Sequence, residues 1–270
     1  MGDSSSAKWY VDWCEPIVVA LYECDQTVIR QRVTEAHAAL DSGALNREPA
    51  ACLKYQLAYL EFQAQGVLGD PGCKEKQLKL ARLLAKPSEV AAAERLRVRL
   101  YIQARTFLDR LGILGLPPEE LEGLINSLPE QEHTTELWHH VSGWSFLHDQ
   151  AEYLARAYEF AVTQARGFNV EWTWHRVNVM WRLITGNAEK ADLTWLIDKI
   201  ELQQQVRSIK KDIWPRAEAM GLVDQELEES LREREYELSV RPSDTLVNML
   251  AAARENRAGQ QTSATGGSAV

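Results

Sequence analysis

Apolar residues in this chain recur every three or four positions, in runs that glycine and proline interrupt at intervals of about 20 to 40 residues. A segment with that period can bury one continuous face only as a helix, because a half-buried strand requires strict alternation. The fold class is therefore all-α, either an array of stacked helical hairpins or a closed multi-helix bundle. Helices are expected over 9–23, 26–40, 49–66, 73–85, 88–111, 118–127, 130–167, 171–185, 188–220, 224–238 and 243–256. Several starts are signalled locally. Pro118 suits a first helical turn with Glu119 and Glu120 beside the positive helix end, Ser88 follows Pro87 as an N-cap, and Asp224 precedes an acidic turn.

With 270 residues, 45% of them apolar, the chain can bury a core without disulfides or a metal. Residues 1–7 are read as a flexible N-terminus, 8–257 as one all-helical domain, and 258–270 as a disordered tail with almost nothing to bury. The net charge of -9 argues against a general nucleic-acid binder, which needs concentrated Lys and Arg. The N-terminus lacks the basic start and unbroken apolar run of a signal peptide. Its Met-Gly-x-x-x-Ser opening meets the myristoylation pattern only loosely, with Asp3 beside Gly2. No run of eighteen apolar residues exists to span a membrane. Cys14, Cys24, Cys52 and Cys73 show no Cys-x-x-Cys spacing, which suits reduced thiols and a cytoplasmic location.

The segment 134–164 carries two stripes. One runs through Leu137, Trp144, His148 and Tyr158, the other through Phe146, Tyr153 and Phe160. A helix with two contact faces packs between neighbours, which marks this one as central. Further on, Gly186 ends an apolar run, Ala191 follows five positions later and Trp195 four after that. This stretch resembles the turn and second helix of a tetratricopeptide repeat, although Asp198 stands where that family has alanine. A second echo runs from Leu57-Ala58-Tyr59-Leu60 to Leu80-Ala81-Arg82-Leu83-Leu84, across a longer turn. The resemblance implies a tetratricopeptide-like style of hairpin packing, as in an α-solenoid.

Five of the six histidines lie between His133 and His175, and Glu136/His140, His148/Glu152 and Glu171/His175 are each four apart. A metal site in a bundle would draw on His140, His148, Glu152 and His175 converging from facing helices. The literal Glu-x-x-His spacings, Glu130 to His133 and Glu136 to His139, both fall on one short stretch with no counterpart on a second helix. The stripe position of His148 favours a buried core histidine, bonded to a carbonyl or to Glu152, over the metal reading.

Trp174, Val177, Trp181 and Ile184 keep core spacing, whereas Trp172 falls off that face. Trp172, with Phe146 and Tyr153, is thus the candidate contact surface for a partner. Arg32 and His37 share a spacing with one class of helical ribonucleases, but the pattern is short and frequent by chance. Lys210, Lys211, Arg207 and Arg216, with Asp212, read as a solvated face. No phosphate loop, nucleophile elbow, Asp-rich prenyl-diphosphate motif or His-Glu-x-x-His is present.

The expected function is accordingly an interaction or scaffold protein that binds a protein or peptide through a helical groove, with no cofactor. The alternative is a metal-dependent enzyme built on the histidine and glutamate cluster of residues 136–175.

Overall fold

The computed structural model describes residues 8–23, 25–163 and 170–240. The N-terminus before residue 8, the helix expected over 243–256 and the tail after 257 lie outside the described residues. All regular structure among the described residues is helical, so the fold is all-α. None of these helices is long and apolar enough to cross a membrane. The described residues divide into two compact units, one within 8–133 and the other within 134–240.

In the first unit a π-helical turn, Tyr10–Cys14, leads into α1 (Glu15–Glu23). Then follow α2 (Gln26–Asp41), α3 (Arg47–Leu68), α4 (Cys73–Leu84), α5 (Ala91–Arg110) and α6 (Pro118–Asn126). Asp25 caps α2 by accepting from the Thr27 and Val28 amides, both at 3.0 Å. Pro118 occupies the first turn of α6 as its sequence signals. The cap of α5 is Val90, two residues beyond Ser88, whose hydroxyl accepts from the Val90 amide instead.

Helix α3 organises this unit because its apolar residues occupy two faces. Tyr55, Tyr59 and Phe62 pack with Ala81 and Leu84 of α4 and with Ala93, Leu100 and Leu108 of α5. Leu53, Leu57 and Leu60 pack on the other side with Cys14, Ile17 and Ala36. Burying side chains of this size contributes roughly 1.5–3 kcal/mol each, so α3 holds both layers together. Gly69 and Gly72 adopt φ of 62° and 72°, a left-handed geometry that lets Gly69-Asp70-Pro71-Gly72 reverse the chain between α3 and α4.

The second unit contains α7 (Thr135–Leu147), α8 (Ala151–Thr163), α9 (Val170–Ile184) and α10 (Lys190–Asp198). It continues with α11 (Gln203–Ser208), a π-helical turn Ile209–Ile213, α12 (Trp214–Ala219) and α13 (Gln225–Ser239). The helix expected over 130–167 is therefore broken. A 3-10 turn at Glu130–Glu132 precedes α7, and the chain reverses at Asp149, whose φ is 55°. Asp tolerates this left-handed conformation, so the turn needs neither glycine nor proline. The turn is fastened by the Gln150 amide donating to the Ser145 carbonyl at 2.8 Å and by Arg216 bonding the Asp149 carboxylate. The segment 188–220 likewise breaks between α10 and α11 and again at the π-helical turn. Asp224 caps α13 as expected, accepting from the Leu227 amide at 3.0 Å.

Candidate functional site: a helix-lined groove in the first unit

Helices α2 and α4 both run antiparallel to α3. Gln26 at the start of α2 bonds the Val67 carbonyl near the end of α3, and Gln77 of α4 bonds the Phe62 carbonyl. At the opposite end the Tyr55 hydroxyl donates to the Lys86 carbonyl at 3.1 Å. Between the two flanking helices the outer face of α3 forms the floor of an open cleft of about 560 Å³. Ala50, Ala51, Lys54, Ala58 and Glu61 line that floor, Leu40, His37 and Asp41 one wall, and Leu80 and Leu83 the other.

The cleft exists because the floor side chains are small. Three alanines leave backbone-deep space where leucines would fill it, and the leucines stand on the walls. Floor contacts from Ala50 to Glu61 span eleven residues of helical rise, about 16 Å or three turns. Across the floor, His37 Nε2 lies 2.7 Å from Glu61 Oε1, tying α2 to α3.

One end is fastened by Asp70, whose carboxylate meets Arg30 of α2 at 2.6 Å and Lys76 of α4 at 3.2 Å. These hydrogen bonds, Arg30 first, hold the Asp70 carboxyl at a pKa of about 2. Beneath the floor, burial pushes the Cys52 thiol up to about 11, which leaves it protonated and unreactive. The groove presents apolar side chains on its floor and walls, with Lys54, Glu61, His37 and Asp41 as its polar lining. Arg32 pairs with Glu35 at 2.8 Å, whereas His37 pairs with Glu61. The ribonuclease-like spacing therefore does not bring Arg32 and His37 onto one partner.

The binding face expected in the second unit is placed differently. Trp172, Phe146 and Tyr153 are 4%, 4% and 7% exposed, so these three side chains belong to its interior. Trp172 points inward because it shares a helix face with Val179 and Leu183, both buried. The exposed tryptophans are Trp181 and Trp195, at 36% and 59%.

The four residues considered for a metal are also dispersed. His148 caps the end of α7 and Glu152 opens α8, so the reversal at Asp149 removes the helical register that would pair them, and both are exposed, which also takes His148 out of the core role its stripe position implied. His140 is half-buried on α7. His175 is buried on α9 against the rings of Trp174 and Trp195, at 4.2 and 6.0 Å, and 3.8 Å from Glu171. Burial holds the His175 imidazole below its ordinary pKa, partly offset by Glu171. Among the described residues no three His, Cys, Asp or Glu side chains are grouped to hold a metal ion.

One polar centre escaped the sequence reading. Arg176 of α9 is fully buried and donates to Ser142 Oγ at 3.0 Å, the His139 carbonyl at 3.3 Å and Ser208 Oγ at 3.3 Å. Its guanidinium also lies 3.6 Å from Asp212 in the π-helical turn. Asp212 is thus part of the interior, not of the solvated face read from Lys210 and Lys211, which are themselves exposed. The cluster joins α7, α9, α11 and the π-helical turn, and its contacts are those of a structural keystone.

Searches against protein-family models, curated proteins and solved structures find no match to this chain.

Proposed function

We propose that this chain is a helical interaction protein that binds an amphipathic helical segment of a protein partner in the groove formed by α2, α3 and α4. The observation that carries the reading is the groove itself: an alanine floor about three turns long, between leucine-bearing walls. A docked helix would lay its i, i+3, i+4, i+7 apolar ridge against the floor and bury the wall leucines, which is the helix-in-groove mode of recognition. The tetratricopeptide-like echo at Leu57–Leu84 falls on the two helices that supply the floor and one wall, and hairpin arrays commonly use such faces for peptides. A cytoplasmic location agrees with the scattered, unpaired spacing of the cysteines.

The test is fluorescence anisotropy with a stapled 18-residue amphipathic helix bearing a leucine ridge. Saturable binding at micromolar concentration is expected, weakened at least tenfold by Ala50→Trp, which fills the groove from a half-exposed floor position. Equal binding by the wild type and a folded Ala50→Trp protein would refute the groove.

A further inference from the structure

The two rims of the groove carry different charge, and this bears on which helix it accepts. In a chain of net charge -9, residues 73–86 hold Lys74, Lys76, Lys79, Arg82 and Lys86 against the lone Glu75. Lys76 is engaged by Asp70. Lys79 is exposed, one turn from both Lys76 and Leu83, and forms no ion pair among the described residues. Lys54 rises exposed from the floor, and its ammonium lies 5.6 Å from the ring centre of Tyr55, with no carboxylate partner among the described residues. On the α2 side the charges differ. His37 is bound to Glu61, Arg30 to Asp70, and Asp41 is exposed without an ion-pair partner among the described residues.

Resting on the groove reading above, we infer that the partner is an acidic amphipathic helix whose carboxylate flank lies along α4, facing Lys54 and Lys79, with its apolar ridge on the alanine floor. Lys79 on α4 and Lys54 on the floor attract that flank, and Asp41 repels it from the α2 rim, so charge fixes the rotation of the helix about its axis. Exposed pairs of this kind contribute roughly two- to fivefold each in affinity and are screened by salt. Attraction of glutamates and repulsion of lysines at two positions therefore separate the two kinds of helix by about tenfold or more.

The experiment uses two stapled 18-residue helices with the same leucine ridge, one flanked by Glu and one by Lys, titrated into the full chain at 50 and 500 mM NaCl. The Glu-flanked helix is expected to bind at least tenfold tighter at 50 mM, with the difference shrinking below threefold at 500 mM. Lys54→Glu/Lys79→Glu is expected to reverse the preference without changing Tm by more than a few degrees. Equal or inverted affinities in the wild type, or no response to the charge reversal, overturn the inference. If Ala50→Trp still abolishes binding of both helices in that case, the groove stands and only its charge selectivity falls. If neither helix binds and the chain dimerises in sedimentation velocity, a second copy occupies the face and both readings fall.

Discussion

Arg176→Ala should destabilise the second unit by about 3–5 kcal/mol, the range for breaking a buried ion pair by removing one member. The guanidinium is fully buried, and the Asp212 side chain 3.6 Å away is only 10% exposed. The substitution strips that carboxylate of the Arg176 cation and takes donors from Ser142, Ser208 and the His139 carbonyl. Seven of the nine tryptophans, Trp138, Trp144, Trp172, Trp174, Trp181, Trp195 and Trp214, lie in this unit, so tryptophan fluorescence during urea unfolding reports mainly on it. With a urea slope of about 2 kcal/mol/M, a loss of about 4 kcal/mol lowers the midpoint by about 2 M. Asp212→Ala should cost a similar amount, and Arg176→Met/Asp212→Leu much less than the sum of the single losses, because it removes both charges together. A midpoint shift below about 0.5 M for Arg176→Ala, or strictly additive single losses, would refute the keystone assignment.

Two further predictions concern protonation. The His175 imidazole is held below 6.5 in the folded chain, so the unfolded chain binds more protons near that pH and stability falls as pH is lowered from about 7 through 6.5 towards the folded value. Urea midpoints at pH 5.5, 6.5 and 7.5 should show this slope reduced in His175→Asn, with Glu171 and Lys199, the charged groups beside it, left intact. An unchanged slope contradicts the assignment. Burial raises both the Cys14 and Cys52 thiols, so in a Cys24→Ser background Ellman's reagent should label the half-exposed Cys73 rapidly and the other two only after unfolding. Rapid labelling of three thiols in the native protein would show that the core of the first unit is open.

The sequence read well where local signals act alone. Helical period, Pro118 and Asp224 place α6 and α13, and each expected segment among the described residues contains helix, although the segments 130–167 and 188–220 are each divided. It read poorly where a turn uses an ordinary residue. Nothing in Leu147-His148-Asp149-Gln150 interrupts the heptad stripe, yet Asp149 takes a left-handed φ and divides the supposed central helix. That single reversal also disperses His148 and Glu152, whose pairing assumed continuous helical register. Core spacing from Trp174 to Ile184 leaves Trp172 off the apolar face, whereas the buried arc of α9 takes in Trp172, Arg176 and Val179 and leaves Trp181 exposed. The groove left a trace in the spacing of Ala50, Ala51 and Ala58 on α3. Periodicity alone gives no way to tell an alanine face covered by another helix from one left open.

The measurement that bears most directly on the account is a two-dimensional amide NMR titration of the full chain with the Glu-flanked helix. Shift changes concentrated at Ala50, Ala51, Lys54, Leu80 and Leu83, and absent in Ala50→Trp, are the predicted result. Changes concentrated instead around the exposed Trp181 and Trp195 would contradict it and move the binding face to the second unit.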